Sequence, residues 1–456
     1  MENKRTKEGG RPCRLRHRSR RRGWVALLPV AFLALLLCGL GLGYGSFSSV
    51  PMSVVFVLTS IFSLCTLRGY GIGERITVFS QGAGHPELLQ MVWIFVLAGA
   101  FASAAREMGA VSATVDLALW CLPDFMLLPG FFFAACVVSL CIGTSVGTVV
   151  ALVPMALELA ARTGTGTPLM VAAVVGGAFF GDNLSFISDT TVAATRTQGC
   201  SMRDKFRTNF RIVLPAAMLC LVIYMLIGAQ QAVGGFREPA AGLHVWRIMP
   251  YAAVLVLALM GVNVLMVLCV GILLAGIVGM AEGAFGWQGW LSSMAAGIAG
   301  MGELILVSMM AGGLLAVVRK GGGVTWLVRG LTRRVRTRRG AEFGMALLVS
   351  ATNLCTANNT VAILSVGVIV RDISARFGVD RRRAASLLDI FSCVVQGVIP
   401  YGAQLLMAGG LAGISPVEIV PYLYYPMILG GVTLLGIAFG REERGGHGGA
   451  SRNVPT

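Results

Sequence analysis

The chain has 456 residues, of which 56% are hydrophobic and only 13% charged, and its formal net charge is +16. A soluble globular domain has about 25% charged residues, so this composition excludes an ordinary soluble enzyme or binding domain. The basic residues occur in short clusters between apolar runs, which argues against nucleic-acid binding. Several apolar runs approach the ~20 residues that cross a bilayer, and the mean hydropathy is +0.78. We therefore predict an all-α polytopic membrane protein.

The chain begins with a basic segment, residues 1–23, followed by an apolar run from Trp24 to about Tyr44. This run is too long for the hydrophobic part of a signal peptide and has no small-residue cleavage site. We expect an uncleaved first helix behind a cytoplasmic tail. In chain order, the apolar runs predict spans near residues 24–45, 48–66, 88–105, 168–180, 209–230, 249–262, 263–281, 303–318 and 419–439.

Clusters of Lys and Arg predict the orientation, because short basic loops stay on the cytoplasmic side. These clusters lie at residues 4–22, 203–211, 319–339, 371–383 and from Arg441 onwards. Both termini are therefore predicted in the cytoplasm, with the protein in the cell inner (cytoplasmic) membrane. A single apolar run separates the clusters at 319–339 and 371–383, and one crossing cannot leave both inside. We predict a re-entrant hairpin at about 343–370, with its tip at TANNT, residues 356–360.

The first half of the chain has matching features. Apolar segments flank the break GTSVGT at residues 143–148, which predicts a hairpin at about 131–160. Interrupted helices are predicted at about 168–200 and about 385–411. We therefore expect two membrane repeats of opposite orientation, at 24–231 and 247–440, joined by an external linker at 232–246 and followed by a cytoplasmic tail at 441–456. Such repeats are typical of secondary transporters with a site at the midplane, although an ordinary helical bundle could show similar spacing by coincidence.

Three acidic residues fall within the predicted spans: Asp182, Asp189 and Asp389. A charge at bilayer depth costs at least ~2.5 kcal/mol, so each marks a candidate functional site. Asp182 and Asp189 lie in GDNLSFISDTT, residues 181–191, where an unwound segment would free backbone carbonyls. The two carboxylates, the freed carbonyls and the Ser and Thr hydroxyls of this segment together predict a cage of oxygen ligands for a hard cation, with both carboxylates as Na+ ligands. The hydroxyl ligands of this cage would be Ser185, Ser188, Thr190 and Thr191.

A desolvated carboxylate binds either a proton or a cation, because each neutralises its charge. Exchanging one for the other across two access states is antiport. The sequence contains no G-x-x-x-x-G-K-[ST] loop for a nucleotide, so we expect an ion gradient as the driving force and no cofactor.

Other interpretations of the acidic residues remain. Two membrane aspartates could form an aspartyl protease dyad, but Tyr-Asp and Gly-x-Gly-Asp are absent around Asp182 and Asp389, so we do not predict an enzyme. A passive channel is compatible with the sequence. The aspartates could also be helix caps, and GTSVGT could be a site of close helix packing.

The segment GGAFFGDNLSFISDTTVAAT, residues 176–195, resembles the NhaC-type Na+/H+ antiporter signature, which reads close to GAYFGDKLSPLSDTTNLA. GTSVGT is similar to GTSWGT of that family, and LLD and IPYGAQ in the second half resemble its LED and IPWN more weakly. The resemblance implies exchange of Na+, or another monovalent cation, for H+. It also implies membership of the ion transporter superfamily, with inverted repeats, paired hairpins and a homodimer of scaffold and transport parts.

Matched by position to the family motifs, the residues of the cage, Asp389 and the residues at the hairpin tips are implied to line the ion path. The tip residues are Thr144, Ser145, Thr148, Asn358 and Asn359. Two residues depart from the signature: Asn183 stands in place of Lys, which removes a positive charge beside the carboxylates, and Phe186 stands in place of Pro.

Some relatives exchange small organic anions such as malate and lactate, coupled to H+ and Na+. This Na+/H+-coupled anion exchange is the alternative function. It predicts a basic residue at the midplane to pair with the substrate, and no such residue is visible within the predicted spans.

Overall fold

A computed structural model describes residues 23–43, 52–185, 188–231, 244–260, 262–332 and 336–439. These residues form α-helices and short 3-10 turns, and the described part contains no β-strand. Eight described helical segments are long and apolar enough to cross a membrane, or nine if a bent pair near residue 423 is one span. The prediction of an all-α polytopic membrane protein is confirmed. The predicted tails, most of the linker and Phe186 lie outside the described residues.

The first half begins with a 3-10 turn at Gly23–Leu27, and its described part then forms ten α-helices. They are α1 (Leu28–Gly43), α2 (Met52–Thr66), α3 (Ile72–Ala83), α4 (Pro86–Glu107), α5 (Ala110–Cys121), α6 (Asp124–Ile142), α7 (Ser145–Thr163), α8 (Thr167–Leu184), α9 (Asp189–Gln198) and α10 (Met202–Gln231).

The helices of the second half follow the same order, except that its last segment consists of two helices separated by a 3-10 turn at Val420–Tyr422. Its described helices are α11 (Val245–Leu259), α12 (Val264–Ala281), α13 (Trp287–Gly300), α14 (Gly302–Lys320), α15 (Gly323–Thr332), α16 (Arg338–Thr356), α17 (Asn359–Phe377), α18 (Arg381–Val398), α19 (Ala403–Ala412), α20 (Pro416–Ile419) and α21 (Tyr424–Phe439).

Helix lengths recur at a constant spacing between the halves. α6 and α16 begin at residues 124 and 338, a shift of 214 positions, and both contain 19 residues. The same shift relates α7 to α17, α8 to α18 and α9 to α19. Equivalent side chains make equivalent bonds, since the Ser139 hydroxyl donates to the Ala178 carbonyl (2.6 Å) and the Asn353 amide to the Ser392 carbonyl (2.7 Å). The helices thus repeat in order and packing, while their opposite orientation in the membrane stays a prediction.

Each half contains a helical hairpin whose arms pack against each other, α6 with α7 and α16 with α17. The connections are two residues long and turn at Gly143 (φ +74°) and Ala357 (φ +49°). The arms begin several residues before the sequence-based boundaries of about 131 and 343. The reasons differ: α16 starts with the polar residues Arg338 and Arg339, whereas α6 contains Pro129 and Gly130, which interrupt the apolar pattern before residue 131 although the helix continues through them.

Each broken helix packs against the hairpin of the other half of the chain. α8 and α9 are separated at residues 185–188, and α18 and α19 at residues 399–402, which include Pro400. α9 packs on α17 of the second hairpin, and α19 packs on α7 of the first. A separate group of contacts joins α2 and α3 to α14, and α4 to α12 and α13. The molecule therefore has a core of hairpins and broken helices beside a second helical layer.

Candidate ion-binding site

Asp182 lies in the last turn of α8, directly before the break, and its side chain is buried. The backbone N–H of Ser145 donates to its Oδ1 atom at 3.0 Å. Ser145 is the first residue of α7, where N–H groups lack partners within the helix and the helix dipole favours negative charge. The first hairpin therefore presents a backbone donor to the carboxylate.

Buried hydroxyl groups surround the backbone of Asp182. Thr190 and Thr191 donate to the Asp182 carbonyl at 3.3 and 3.4 Å, and the Ser188 and Thr190 hydroxyls are 3.0 Å apart. Ser185, at the end of α8, is also buried. The break thus contains one buried carboxylate and four buried hydroxyl groups within ten residues, and such oxygen atoms are suited to a hard monovalent cation.

Asp189 differs from the other residues of the predicted cage, because its side chain is exposed. It is the first residue of α9, whereas the next two residues are buried. The expectation of two buried carboxylates in this segment is therefore wrong: the other predicted site carboxylate that is buried is Asp389, on α18. Sequence spacing could not reveal this, because the side-chain directions around the break depend on where α9 begins. An ion-ligand role for Asp189 stays a prediction.

Asp389 lies in the middle of α18 and forms an ion pair with Lys205, with 2.6 Å between Lys205 Nζ and Asp389 Oδ2. Both side chains are at most 1% exposed. The Lys205 ammonium also donates to the Asn183 carbonyl (2.8 Å) and the Thr191 hydroxyl (2.7 Å). The Asn209 amide donates to the same Asn183 carbonyl and to Asp389 Oδ2, both at 2.8 Å. Asp389 is therefore one member of a salt bridge, beside the segment that contains Asp182.

The buried lysine corrects the expectation that no basic residue lies within the spans. The charge pattern predicts a basic loop at 203–211 that includes Lys205, but α10 already begins at Met202. Lys205 and Asn209 are four residues apart and point into the protein, whereas Phe206 and Phe210 stack on the other side with 5.9 Å between ring centroids. The spacing of four residues indicates that Lys205 and Asn209 share one helix face, but exposed Arg207 and Arg211 have the same spacing, so the sequence alone does not identify the buried pair.

Two glutamines, which the sequence did not single out as site residues, connect the breaks. Gln404, in the first turn of α19, donates to the Ser145 hydroxyl at 2.9 Å. Gln396, in α18, donates to the Gln404 side-chain oxygen (3.1 Å) and to the Ala357 carbonyl (3.0 Å). Gln396 is 214 positions after Asp182, so an amide occupies the place in the second half that a carboxylate occupies in the first.

The remaining predicted tip residues have varied positions. The Asn358 side chain caps α17 by accepting from the Val361 N–H (3.0 Å), and Asn359 is buried against Cys393. Thr148 is buried and donates to the carbonyl of half-buried Thr144, within its own hairpin. These bonds give Asn358 and Thr148 structural roles at the tips, and the structure brings only Ser145 into contact with Asp182.

A cavity of about 470 Å³ lies between the second hairpin tip and the helices α3, α4 and α14. Its polar lining includes His85, Arg319 and Lys320, as well as Asn358 and Tyr401. The cavity thus combines cationic side chains with the second tip, at the boundary between the core and the second helical layer.

Sequence comparisons agree with these structural features. The profile described as "Na+/H+ antiporter family" matches residues 27–229 and 241–440. A malate-2H(+)/Na(+)-lactate antiporter of Bacillus subtilis is 21% identical over 90% of this chain and 94% of its own length. The Na(+)/H(+) antiporter NhaC of the same organism is 21% identical over 76% of this chain and 83% of its own length.

Among solved structures, the YdaH transporter of Alcanivorax borkumensis matches 91% of this chain and 99% of its own, with 14% identity and a TM-score of 0.41. The family profile covers both halves, including the two hairpins and the two broken helices. The chain belongs to the Na+/H+ antiporter family.

Proposed function

We propose that this protein is a secondary antiporter that exchanges Na+, or another monovalent cation, for H+ across the cytoplasmic membrane by alternating access. Asp182 is the observation that supports this most directly: it is buried at a helix break and has no ion-pair partner among the described residues. A buried carboxylate without a countercharge is costly. Binding of either a proton or a cation removes that cost, so the two compete for one group.

The cation ligands in this proposal are the Asp182 carboxylate and the hydroxyl groups of the break. These hydroxyls belong to Ser185, Ser188, Thr190 and Thr191. Asp189, exposed at the start of α9, would attract a cation towards the break before it reaches Asp182. Protonation of Asp182 on one side of the membrane and cation binding on the other then give coupled exchange, with no cofactor.

The two halves are proposed to be inverted repeats with re-entrant hairpins and cytoplasmic termini. The 214-residue recurrence of helices supports a repeat, and the basic clusters support the orientation. The orientation is tested by replacing Arg319 or Arg376 with a single cysteine in a cysteine-free background and labelling it with a membrane-impermeant thiol reagent. Both positions should react from the cytoplasmic side, and labelling from opposite sides would reject the second hairpin.

A homodimer is also proposed, because the resemblance to NhaC-type antiporters implies one. The resemblance also implies that the dimer combines scaffold and transport parts, which fits the observed division into a core and a second helical layer. Light scattering of the detergent-purified protein should give twice the chain mass, and the single-chain mass would contradict the dimer.

Exchange is tested with purified protein in liposomes that contain a pH-sensitive dye. After an imposed pH gradient, Na+, Li+ or K+ is added separately, and a preferred cation should collapse the gradient. The Asp182→Asn protein in matched liposomes is the control for leakage. A gradient that no cation changes, with protein confirmed in the liposomes, would reject the proposed exchange.

Organic-anion exchange is the second candidate, favoured by the cavity that Arg319 and Lys320 line and by the similarity to a malate/lactate antiporter. Lys205 itself is an unsuitable anion partner, since its three N–H donors already have acceptors. Counterflow separates the candidates: accumulation of labelled malate or lactate against unlabelled anion, without any cation effect on internal pH, would favour anion exchange.

A further inference from the structure

The Lys205 ammonium is fully engaged inside the protein. Its three donors reach Asp389 Oδ2, the Thr191 hydroxyl and the Asn183 carbonyl at 2.6 to 2.8 Å. An ammonium has three N–H groups and no acceptor, so this environment matches its charged form. Removing either member of a buried ion pair leaves the other charge without compensation. Lys205 and Asp389 therefore form one unit.

Lys205 brings an ammonium group to the signature segment, although Asp389 compensates its charge. Asn183 stands where NhaC-type sequences have Lys, and its backbone carbonyl accepts directly from Lys205. Lys205 reaches this carbonyl from α10, which packs on both α8 and α18. Thr191, which donates to the Asp182 carbonyl and accepts from Lys205, connects the ion pair to the cation site.

The buried charges of the core have a definite sum. Among the described residues, the buried ionisable acids and bases of this region are Asp182, Asp389 and Lys205; buried Asp116 pairs elsewhere with Arg162. The two undescribed residues of the break, Phe186 and Ile187, carry no charge. With Lys205 and Asp389 compensating each other, one negative charge remains, on Asp182.

We propose that Lys205 is a tethered internal cation that permanently occupies Asp389, so that the site takes up one monovalent cation or one proton in each turnover. This inference rests on the proposed antiport and specifies its stoichiometry and charge. Lys205 is a positioning residue that acts through Asp389, and exchange is electroneutral. A site with two free carboxylates would instead bind two positive charges.

The test compares four proteins in liposomes: wild type, Lys205→Met, Asp389→Asn and the double variant. Lys205→Met leaves two uncompensated carboxylates, and Asp389→Asn leaves an ammonium that cancels the Asp182 charge. Both single variants should lose one-for-one cation/proton exchange by at least about tenfold, because neither keeps a single uncompensated negative charge. The double variant keeps a single uncompensated negative charge, so it should recover to within about threefold of wild type. Size-exclusion profiles and liposome content are measured for all four proteins.

An inactive double variant that is folded and inserted would show that Asp389 itself binds the transported ion, and would overturn the inference. Wild-type activity in Lys205→Met would overturn it as well. If the double variant fails to fold, a measurement on the wild-type protein tests the inference instead. Its exchange rate should not respond to a membrane potential set with K+ and valinomycin, because one-for-one exchange moves no net charge. A response to the potential would reject one-for-one exchange. Failure of the antiport proposal is distinguishable, because wild type would then show no cation-dependent change of pH.

Discussion

The Ser145 N–H donates to the Asp182 carboxylate at 3.0 Å, and this bond joins the tip of one hairpin to the end of a broken helix. The Ser145 hydroxyl in turn accepts from Gln404 of the other half. The carboxylate at the end of α8 is thus held by the first hairpin and, through Ser145, by the second broken helix. The ion binding proposed at Asp182 would therefore act on contacts that connect the two halves, which makes this residue the first target for substitution.

Asp182→Asn is expected to reduce cation/proton exchange by at least about tenfold, because an amide keeps the size of the side chain but cannot hold a proton or countercharge. Exchange is measured as cation-dependent pH change in liposomes. Asp116→Asn is the matched control: Asp116 is also buried but pairs with Arg162. It should lower thermal stability and keep exchange. Loss of exchange in both variants, or in neither, would contradict the assignment of Asp182.

Asp189→Asn is expected to act differently, since this carboxylate is exposed. A surface charge near an entry path raises the local cation concentration, and salt screens it. The half-saturating cation concentration should rise by about threefold at low ionic strength while the maximal rate changes little. The difference should shrink when the ionic strength is raised with an untransported salt such as choline chloride. Complete loss of exchange would show that Asp189 is a direct ligand.

Gly181→Ala should prevent accumulation of folded protein. A Cβ atom at this position would come within 2.4 Å of the side chain and backbone of Ser139, where α8 crosses α6. Packed interiors do not yield to such overlap without a shift of the helix, which typically costs ~1–3 kcal/mol or more. Gly431→Ala in α21 is the control, because a Cβ there meets nothing within 4 Å. Equal detergent-extracted yields for the two variants would contradict this packing.

The two hairpin turns allow a paired stability test. Ala357 has a left-handed backbone at φ +49°, and Gly143 has the same conformation at the equivalent position. Left-handed conformations cost a non-glycine residue roughly 1–2 kcal/mol. Ala357→Gly should therefore stabilise the protein and Gly143→Ala should destabilise it, each by about 1 kcal/mol, in thermal unfolding monitored in detergent. Shifts of the same sign in both variants would contradict the proposed strain.

Several features of the fold could be predicted from sequence because each depends on local pattern. Apolar runs predicted the membrane spans, and breaks in GTSVGT and TANNT lie where the hairpin helices end at Gly143 and Ala357. Asp182 was recognised because a carboxylate within an apolar segment is unusual. Its contact with Ser145 connects residues 37 positions apart and depends on tertiary packing.

Lys205 could not be located by counting charges. Its neighbours in the sequence, Arg203, Asp204 and Arg207, are typical of a cytoplasmic loop, and only the helical direction separates Lys205 from them. Its partner Asp389 is far away in sequence, and no local pattern joins the two. The same limit applies to Asp189, whose exposure depends on where α9 begins.

The crossed packing of α9 on α17 and of α19 on α7 restricts how the molecule changes conformation. Each half of the sequence supplies one partner to each of these two contacts, so neither half can be displaced alone without breaking both. Any group of helices that moves as a rigid body must therefore include segments from both halves of the chain. Each part of the transporter that moves as a unit then contains helices from both repeats. The boundary between the moving parts therefore differs from the boundary between the two repeats in the sequence.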